Sequence, residues 1–599
     1  MNRIARIAPR SATTSSLALS LAAMLALAAC SREAPAPAQP DAAAPGPAPA
    51  PAPASAAAPG EHAFKDAIDA GDFGELVETL ASDEFEGRGP GTAGEEKSVG
   101  YIQSQFERIG LKPGFGDAWT QTVPMQETTA DESTEMTISV KGKPRTLKFG
   151  TDMVVGTRTG RPEVKIDGSD LVFVGYGVDA PEQQWNDYAG IDVKGKTVVM
   201  FVNDPGFHAG DDSLFEGKRM TYYGRWTYKF EEAARKGAAA ALIIHDTAGA
   251  SYGWDVVKNS WSGTQYDLRA KDDPAPRLPV QGWITGDQAK VMFADAGLDL
   301  DKLRMDANKR GFKPVALPAK MSVGLKSRIS EKSSRNVAGL LPGTERPDEA
   351  VVYMAHWDHL GKHEGEEGDN VYNGAVDNAT GVAGIIEIAE QMAKIGKPRR
   401  SVLFLAVTLE ESGLLGSQYY VAHPAIPLDK TAAVINLDAM GVAGRARNLT
   451  VVGKGSSELE DILEPIAQKQ GRSLVEETNP AGGFYFRSDH FNFAKAGVPS
   501  LYTDAGDDLL EGGKAAGEAA GNDYNEKRYH KPADEYDPAT WKLDGTMEDL
   551  AAVYEVGLQV ANGDAWPNWY QDNAFRAVRD KMMAGAGATE QRDSAKQAP

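Results

Sequence analysis

"SVLFLAVTLEESGLLGS", residues 401–417, decides how this chain folds. Val402 to Val407 form an unbroken apolar run, the pattern of a strand buried on both faces. Glu410 and Glu411 stand side by side where the run ends. Two carboxylates at the edge of a buried strand cost desolvation and repel each other, unless both face water or something positive holds them.

Similar runs lie on either side. "AVVYMAH" (350–356), "AAVINLD" (432–438), "LTVVG" (449–453) and "VPSLYT" (498–503) are short, β-rich and bounded by turn residues. Between the first of these and the quoted stretch, Val382, Ile385, Ile386, Ala389 and Met392 share one face of a helix over Gly381–Ile395. Gly396 and Pro398 end it. Alternating strands and helices predict an α/β fold, a mostly parallel mixed sheet flanked by helices.

Open sheets of this kind bind ligands beyond the carboxyl ends of their strands. His356, Asp358 and His359 follow the first run, Glu410 and Glu411 the second, and Asp438 ends the third. Asp377 sits in "NGAVDNATG" (373–381), just ahead of the helix. Any one of these acids alone reads as a helix cap or a solvated loop residue. Successive strands all ending in imidazole and carboxylate groups suit zinc or a similar divalent ion.

The 599 residues exceed one core, and a formal charge of -22 argues against nucleic-acid partners. Upstream, Phe73–Leu80 and Gly94–Ile109 read as helices. A second unit is expected over 158–315. It contains strands "DLVFVGYGV" (170–178), "KTVVMFVND" (196–204) and "AAALIIHD" (239–246), with a helix in "KFEEAARKG" (229–237). Its His208 and His245 read as structural or surface residues, and His363 as surface. "GDDLLEGGKAAGEAAGNDYNEKRY" (506–529) reads as a long Gly-rich loop near the site, and "DLAAVYEVGLQVAN" (549–562) as a helix.

The single cysteine, Cys30, ends "LAAC" after a basic start at Arg3, Arg6 and Arg10 and an apolar segment over 16–29. That is the layout of a signal peptide. Residues 31–60 are almost all Ala and Pro and cannot build a core, so they read as a spacer. The expected organisation is a signal peptide (1–30), a linker (31–60), the first part of the main domain (61–157), an insert (158–315), the rest of the main domain (316–575) and a polar tail (576–599).

In order, "AHWDHLG", "NGAVDNATG", "TLEESGLLGS", "INLDAMG" and "YHKPAD" resemble metallopeptidase family twenty-eight, and "SDEFEGRGPGTAGEE" (82–96) resembles its opening. These are co-catalytic di-zinc aminopeptidases, with glutamate carboxypeptidases and glutaminyl cyclases as relatives. The resemblance implies the zinc-dependent exopeptidase (phosphorylase/hydrolase-like) fold, two zinc ions and a peptide substrate. His356, Asp377, Glu411, Asp438 and His530 are the implied metal ligands, with Asp377 bridging, and Glu410 is the implied general base. Asp358 would orient His356, and Asp534 would partner the last histidine; His359 receives no firm role. "FYFRSDH" (484–490) implies Tyr485 as oxyanion donor, with Ser488 and Asp489 near the substrate. Arg487 beside them would matter for a carboxypeptidase.

"GYGV…NDYAGIDVKGKTVVM" resembles a β-rich protease-associated domain inserted in the peptidase, and "LAAC" a lipoprotein lipobox. The latter implies lipidation at Cys30 and a place in the cell envelope, with Ser31 favouring the outer membrane. The lipid anchor would then be the sole membrane contact. The leading expectation is an aminopeptidase. The alternatives are a carboxypeptidase, a one-zinc glutaminyl cyclase and an inactive receptor-like scaffold.

Overall fold

The computed structural model describes residues 62–585 apart from 274, 364, 366, 367, 396 and 397. Cys30, the 31–60 spacer and the end of the tail lie outside the described residues.

Helix α1 (Ala70–Leu80) starts where the Asp69 carboxylate accepts the Gly71 and Asp72 N–H groups. Helix α2 (Ala93–Ile109) is capped by Thr92 and stopped by Gly110. Strand β1 (Thr120–Ala130) follows. The chain then leaves for a second sheet of its own. Strands Glu163–Phe173, Thr197–Phe201, Ala240–Ile244 and Val280–Ile284 run side by side and parallel. Helix α3 (Trp226–Arg235) lies on the crossover between the second and third of these.

This second core takes in Met136, Ile138 and Leu147, upstream of the expected boundary at 158. The hairpin of Glu135–Val140 with Lys143–Lys148 belongs to it. Its residues alternate buried and exposed like any edge hairpin, so composition does not mark the crossing.

Strand β2 (Val315–Leu341) returns as a single 27-residue strand. Its first half pairs antiparallel with Glu163–Phe173 in the second sheet, and its second half with β1. The two sheets thus share one strand.

The main sheet continues with β3 (Arg346–His356), helix α4 (Thr380–Ile395), β4 (Arg400–Val407), β5 (Thr431–Asn436), β6 (Asn448–Val451) and β7 (Ser500–Asp504). Strands β4, β3, β5 and β7 lie in that order and parallel. The end of β2 pairs antiparallel with β4, and β6 with β7. The observed sheet is the mostly parallel, mixed one expected.

Helices cover both faces. Val351, Tyr353 and Ala355 of β3 pack towards α1, α2, α4 and the later helix α5 (Leu543–Asn562). Val352 and Met354 face Tyr420 and Phe493 on the other side. Every residue of β4 is buried, which is why its sequence is continuous rather than alternating. Phe404 stacks on Tyr353 at 5.7 Å; burying such a ring contributes roughly 2–3 kcal/mol. The Tyr353 hydroxyl donates to the Val553 and Tyr554 carbonyls of α5. A Cβ at Gly557 would come within 2.0 Å of that hydroxyl, so the helix needs glycine there.

The segment expected as a loop over 506–529 is largely a helix, Gly513–Lys527, with no buried residue. Its glycines suggested a loop, but the Ala, Glu and Lys between them favour a helix. Among the described residues, no helix is long and apolar enough to cross a membrane.

Candidate metal centre

The carboxyl ends of β3, β4 and β5 bring the expected groups together. His356 ends β3, and its Nε2 lies 3.2 Å from Asp377 Oδ1 and 3.2 Å from Asp438 Oδ1. His530 arrives from the far end of the chain. Its Nε2 lies 3.2 Å from Asp377 Oδ2 and 3.1 Å from Glu411 Oε2. Asp377 therefore offers one oxygen to each histidine. Two sets of one imidazole and two carboxylates result, sharing Asp377. A tetrahedral ion with bonds of ~2.0–2.1 Å separates its ligands by about 3.3 Å, so the spacing and the N/O donors fit a divalent ion in each set.

Glu410 points differently from Glu411. Its backbone N–H donates to Asp358 Oδ1 at 3.2 Å. Its carboxylate comes within 4.8 Å of the His356 and Asp438 ligand atoms. Glu411 is held from two sides, since its Oε1 lies 2.7 Å from His359 Nδ1. His359 is thus a contact of Glu411 that the sequence left without a role, although its spacing three residues after His356 was visible. Gly374 (φ 54) lets the backbone pass the His359 ring, where a Cβ would stand 2.5 Å from the imidazole Cγ.

Buried groups fix the loop that carries Asp377. Asp534 accepts the N–H groups of Val376 and Asp377, both at 3.1 Å. It positions Asp377 rather than the expected His530. Arg88, fully buried, donates to the carbonyls of Trp357, Leu80, Asn373 and Gly374. It ties α1, the end of β3 and the Asp377 loop together. The only signal for it was its place in "SDEFEGRGPGTAGEE".

Asp358 is close to His356 but not in the expected way. His356 Nδ1 lies 3.0 Å from the Asp358 carbonyl and 3.9 Å from its carboxylate. Burial pushes the Asp358 carboxyl up to about 8. Ser488, expected near substrate, gives its hydroxyl to Asp438 Oδ2 at 2.5 Å and so steadies a ligand. Asp489 is buried, and its Oδ1 accepts from Ser417.

Burial and crowding of charge shift the groups of the site. Burial, then the neighbouring Glu411, Asp438 and Asp489, pushes the Glu410 carboxyl well above its ordinary range. Burial opposes ionisation of Asp377, yet hydrogen bonds from His356 and His530 hold it well below. Burial likewise opposes a charged His530, but Asp377 and Glu411 raise it to about 10. Buried imidazoles and carboxylates packed this closely are groups that a divalent ion would hold deprotonated.

Tyr485 has other surroundings than expected. Its hydroxyl is buried without a hydrogen-bond partner, and the charge that acts on it is Glu460. Its ring packs against Phe486 and His490. Tyr529 instead stacks on His530 at 3.9 Å. Burial, then Asp377, Glu411, Glu410 and Asp438, raises its hydroxyl, which places that hydroxyl within the field of the cluster. Arg487 donates to the Gly482 carbonyl. Away from the site, His208 contacts Asp246 and His245 contacts the Tyr252 carbonyl, which fits their structural reading.

Aminopeptidase NAALADL1 of Mus musculus is 29% identical over 162 residues, 26% of this chain and 20% of that protein. The glutamate carboxypeptidase 2 homolog of Caenorhabditis elegans is 33% identical over 127 residues, 20% of this chain and 15% of that protein. A probable zinc metalloprotease of Pyrenophora teres f. teres (strain 0-1) is 37% identical over 182 residues, 30% of this chain and 36% of that protein. The chain thus spans well under half the length of each of these relatives.

Among solved structures, an aminopeptidase from Aneurinibacillus sp. strain AM-1 is similar over 82% of this chain and 94% of that one, with 19% identity and a TM-score of 0.44. The segment of this chain that supplies both imidazole–carboxylate sets, residues 336–554, matches Peptidase family M28.

Proposed function

We propose that this protein is a zinc-dependent exopeptidase that hydrolyses the N-terminal peptide bond of peptides. The observation that carries the reading is the pair of donor sets that share Asp377, with the Glu410 carboxylate within 4.8 Å of the His356 and Asp438 ligand atoms. His356, Asp438 and Asp377 would hold one zinc ion, and His530, Glu411 and Asp377 the other. When bound, such ions lower the pKa of water and polarise a carbonyl.

The chain's own groups do the rest. Glu410 takes a proton from the attacking water and returns it to the departing amine nitrogen as the C–N bond breaks. Tyr529 donates its hydroxyl to the oxygen that gains charge; its stacking on His530 supports this role over Tyr485. Arg88, Asp534, Ser488 and His359 keep the ligands in place.

The test is one peptide in four forms: free, N-acetylated, C-amidated and blocked at both ends. Cleavage is located by mass spectrometry with zinc-reconstituted protein. Loss of the first residue, abolished by acetylation and kept on amidation, is the expected result. The opposite pattern would make it a carboxypeptidase, and no cleavage of any form would overturn the exopeptidase reading.

The same reading puts a protease-associated domain in the second sheet and attaches the protein to the cell envelope through Cys30. Cys30→Ala is expected to abolish palmitate incorporation and release the protein from the membrane fraction.

A further inference from the structure

The proposed function leaves His359 as a support for Glu411. Its surroundings give it more to do. The chain past β3 is pinned residue by residue. The Trp357 N–H donates to the Val407 carbonyl, Asp358 Oδ1 accepts the Glu410 N–H, and the His359 N–H donates to the Arg88 carbonyl. His359 thus enters the site from the same short segment as His356, three residues on. The Asp377 loop passes its ring at Gly374, where a Cβ would stand 2.5 Å from the imidazole Cγ.

His359 is 1% exposed, and neither of its ring nitrogens has a hydrogen-bond partner. Glu411 Oε1 is buried and unpartnered as well. Yet His359 Nδ1 and Glu411 Oε1 lie 2.7 Å apart. Two groups aimed at each other over that distance would form a strong hydrogen bond. These two are not so aimed. Ligands of one ion meet in this way, because their lone pairs converge on a third point. A buried imidazole with no partner at all is otherwise costly. His490 also has unpartnered ring nitrogens, but it packs between the Tyr485 and Tyr502 rings and makes no ion pair among the described residues.

The other donors surround the same point. The ligand atoms of His359, Asp377 and Glu411 lie within 4.8 Å of one another. His530 Nε2 lies 3.2 Å from Asp377 and 3.1 Å from Glu411. The ring centroids of His359 and His530 are 5.6 Å apart, with their planes at 72°. Two imidazoles bound to one zinc ion at ~2.0–2.1 Å, with a near-tetrahedral angle between them, place their centroids roughly 5.2–5.5 Å apart.

We propose that His359 is a further ligand of the ion held by His530, Glu411 and Asp377. This rests on the zinc part of the function proposed above and adds a ligand beyond those that the sequence resemblance implies. It makes the two sites unequal. The second is closed by two imidazoles and two carboxylates, as structural zinc sites are. The first, with His356, Asp438 and Asp377, keeps an open position, as catalytic ones do. Glu410 lies beside that open set. The ion of the closed set is the resident one, and the ion of the open set is the one that exchanges.

The test is X-ray absorption fine structure at the zinc edge, which counts imidazoles on the ion. The full chain with two equivalents of zinc should show about 1.5 imidazoles per ion, against about one if His359 binds none. His356→Ala removes the imidazole of the open set. With one equivalent of zinc, that variant should show about two imidazoles on its ion, and about one when His359→Ala is added. A chelator titration gives a second readout. One ion of the unaltered protein should be held about tenfold or more tightly than the other, and His359→Ala should weaken that ion by about 100-fold while leaving the other within about twofold.

A count of about one in the unaltered chain, or no zinc bound by it, would overturn the assignment. So would a count that His359→Ala leaves unchanged while affinity falls, since His359 would then only support Glu411. If the variants do not fold, the count on the unaltered chain decides alone. No peptide is cleaved in these measurements. Zinc held by three imidazoles in a protein that cuts none of the four peptide forms would therefore keep this ligand and fail only the exopeptidase reading.

Discussion

At the scale of single residues, the proposed function separates groups that hold ions from groups that move protons. Glu411 lies against two imidazoles, His530 and His359, while the proposed function gives Glu410, within 4.8 Å of the His356 and Asp438 ligand atoms, to proton transfer. Glu410→Gln should therefore keep zinc binding and lower kcat by about 10²–10⁴-fold. Zinc content measured on the same sample checks this, since loss of metal along with activity would make Glu410 a ligand. The two tyrosines divide in the same way. Tyr529→Phe should cost about 10–100-fold in kcat with little change in KM, from loss of one donor to a charged oxygen. Tyr485→Phe should leave kcat nearly unchanged, because its hydroxyl has no partner to lose. The reverse ranking in steady-state kinetics would return the role to Tyr485. His356, Glu411 and Asp438 were legible at strand ends and Asp377 just ahead of its helix, while His530 came only through the resemblance carried by "YHKPAD". Arg88, Asp534 and the true setting of Ser488 were not, because they act on backbone or on other side chains across long stretches of chain. Nothing in local spacing announces that.

At the scale of elements, helix α4 shows how burial writes a pH dependence into the fold. Glu387 is 1% exposed, and its Oε2 accepts the Asp69 N–H at 2.8 Å, which joins α4 to the start of α1. Burial raises its carboxyl from 4.5 to about 8. The folded chain thus keeps a proton that the unfolded chain gives up above 4.5, and folding takes up a proton between the two values. Its contribution to stability is fully present below 4.5 and is lost as pH rises through about 8. Gln at this position keeps an acceptor for Asp69 and removes the titration. Glu387→Gln should therefore stabilise the protein by about 2–4 kcal/mol at pH 9 and change little at pH 5. Denaturant unfolding at both pH values reads this directly, and equal effects at the two would remove burial of charge as the cause. The strands of the main sheet were read well because burial on both faces leaves unbroken apolar runs. The helix Gly513–Lys527 was missed because its glycines outweighed its Ala, Glu and Lys, and with no buried face it carries no apolar period.

At the scale of the whole molecule, one strand argues that the two sheets act as a unit. Each has its own hydrophobic core, which alone would allow each to unfold separately. Strand β2, however, runs 27 residues and serves both sheets without a break. Beyond it, Arg219 of the second domain pairs with Glu476, and Tyr222 packs edge-on to Phe491 at 5.5 Å. Removing one domain would expose one half of β2 as an unpaired edge and uncover these contacts. A single cooperative transition is therefore expected for the zinc-loaded protein by calorimetry, although chains of this length often unfold in steps. The candidate ligands all lie in the main domain, yet zinc should raise the midpoint of that one transition. Free zinc at a hundredfold excess over its Kd adds about 2.7 kcal/mol. Fluorescence of Trp254 and Trp261, both in the second domain, should follow the same zinc-dependent shift as the calorimetric signal. Two transitions, of which only one moves with zinc, would mean that β2 couples the sheets in geometry but not in energy.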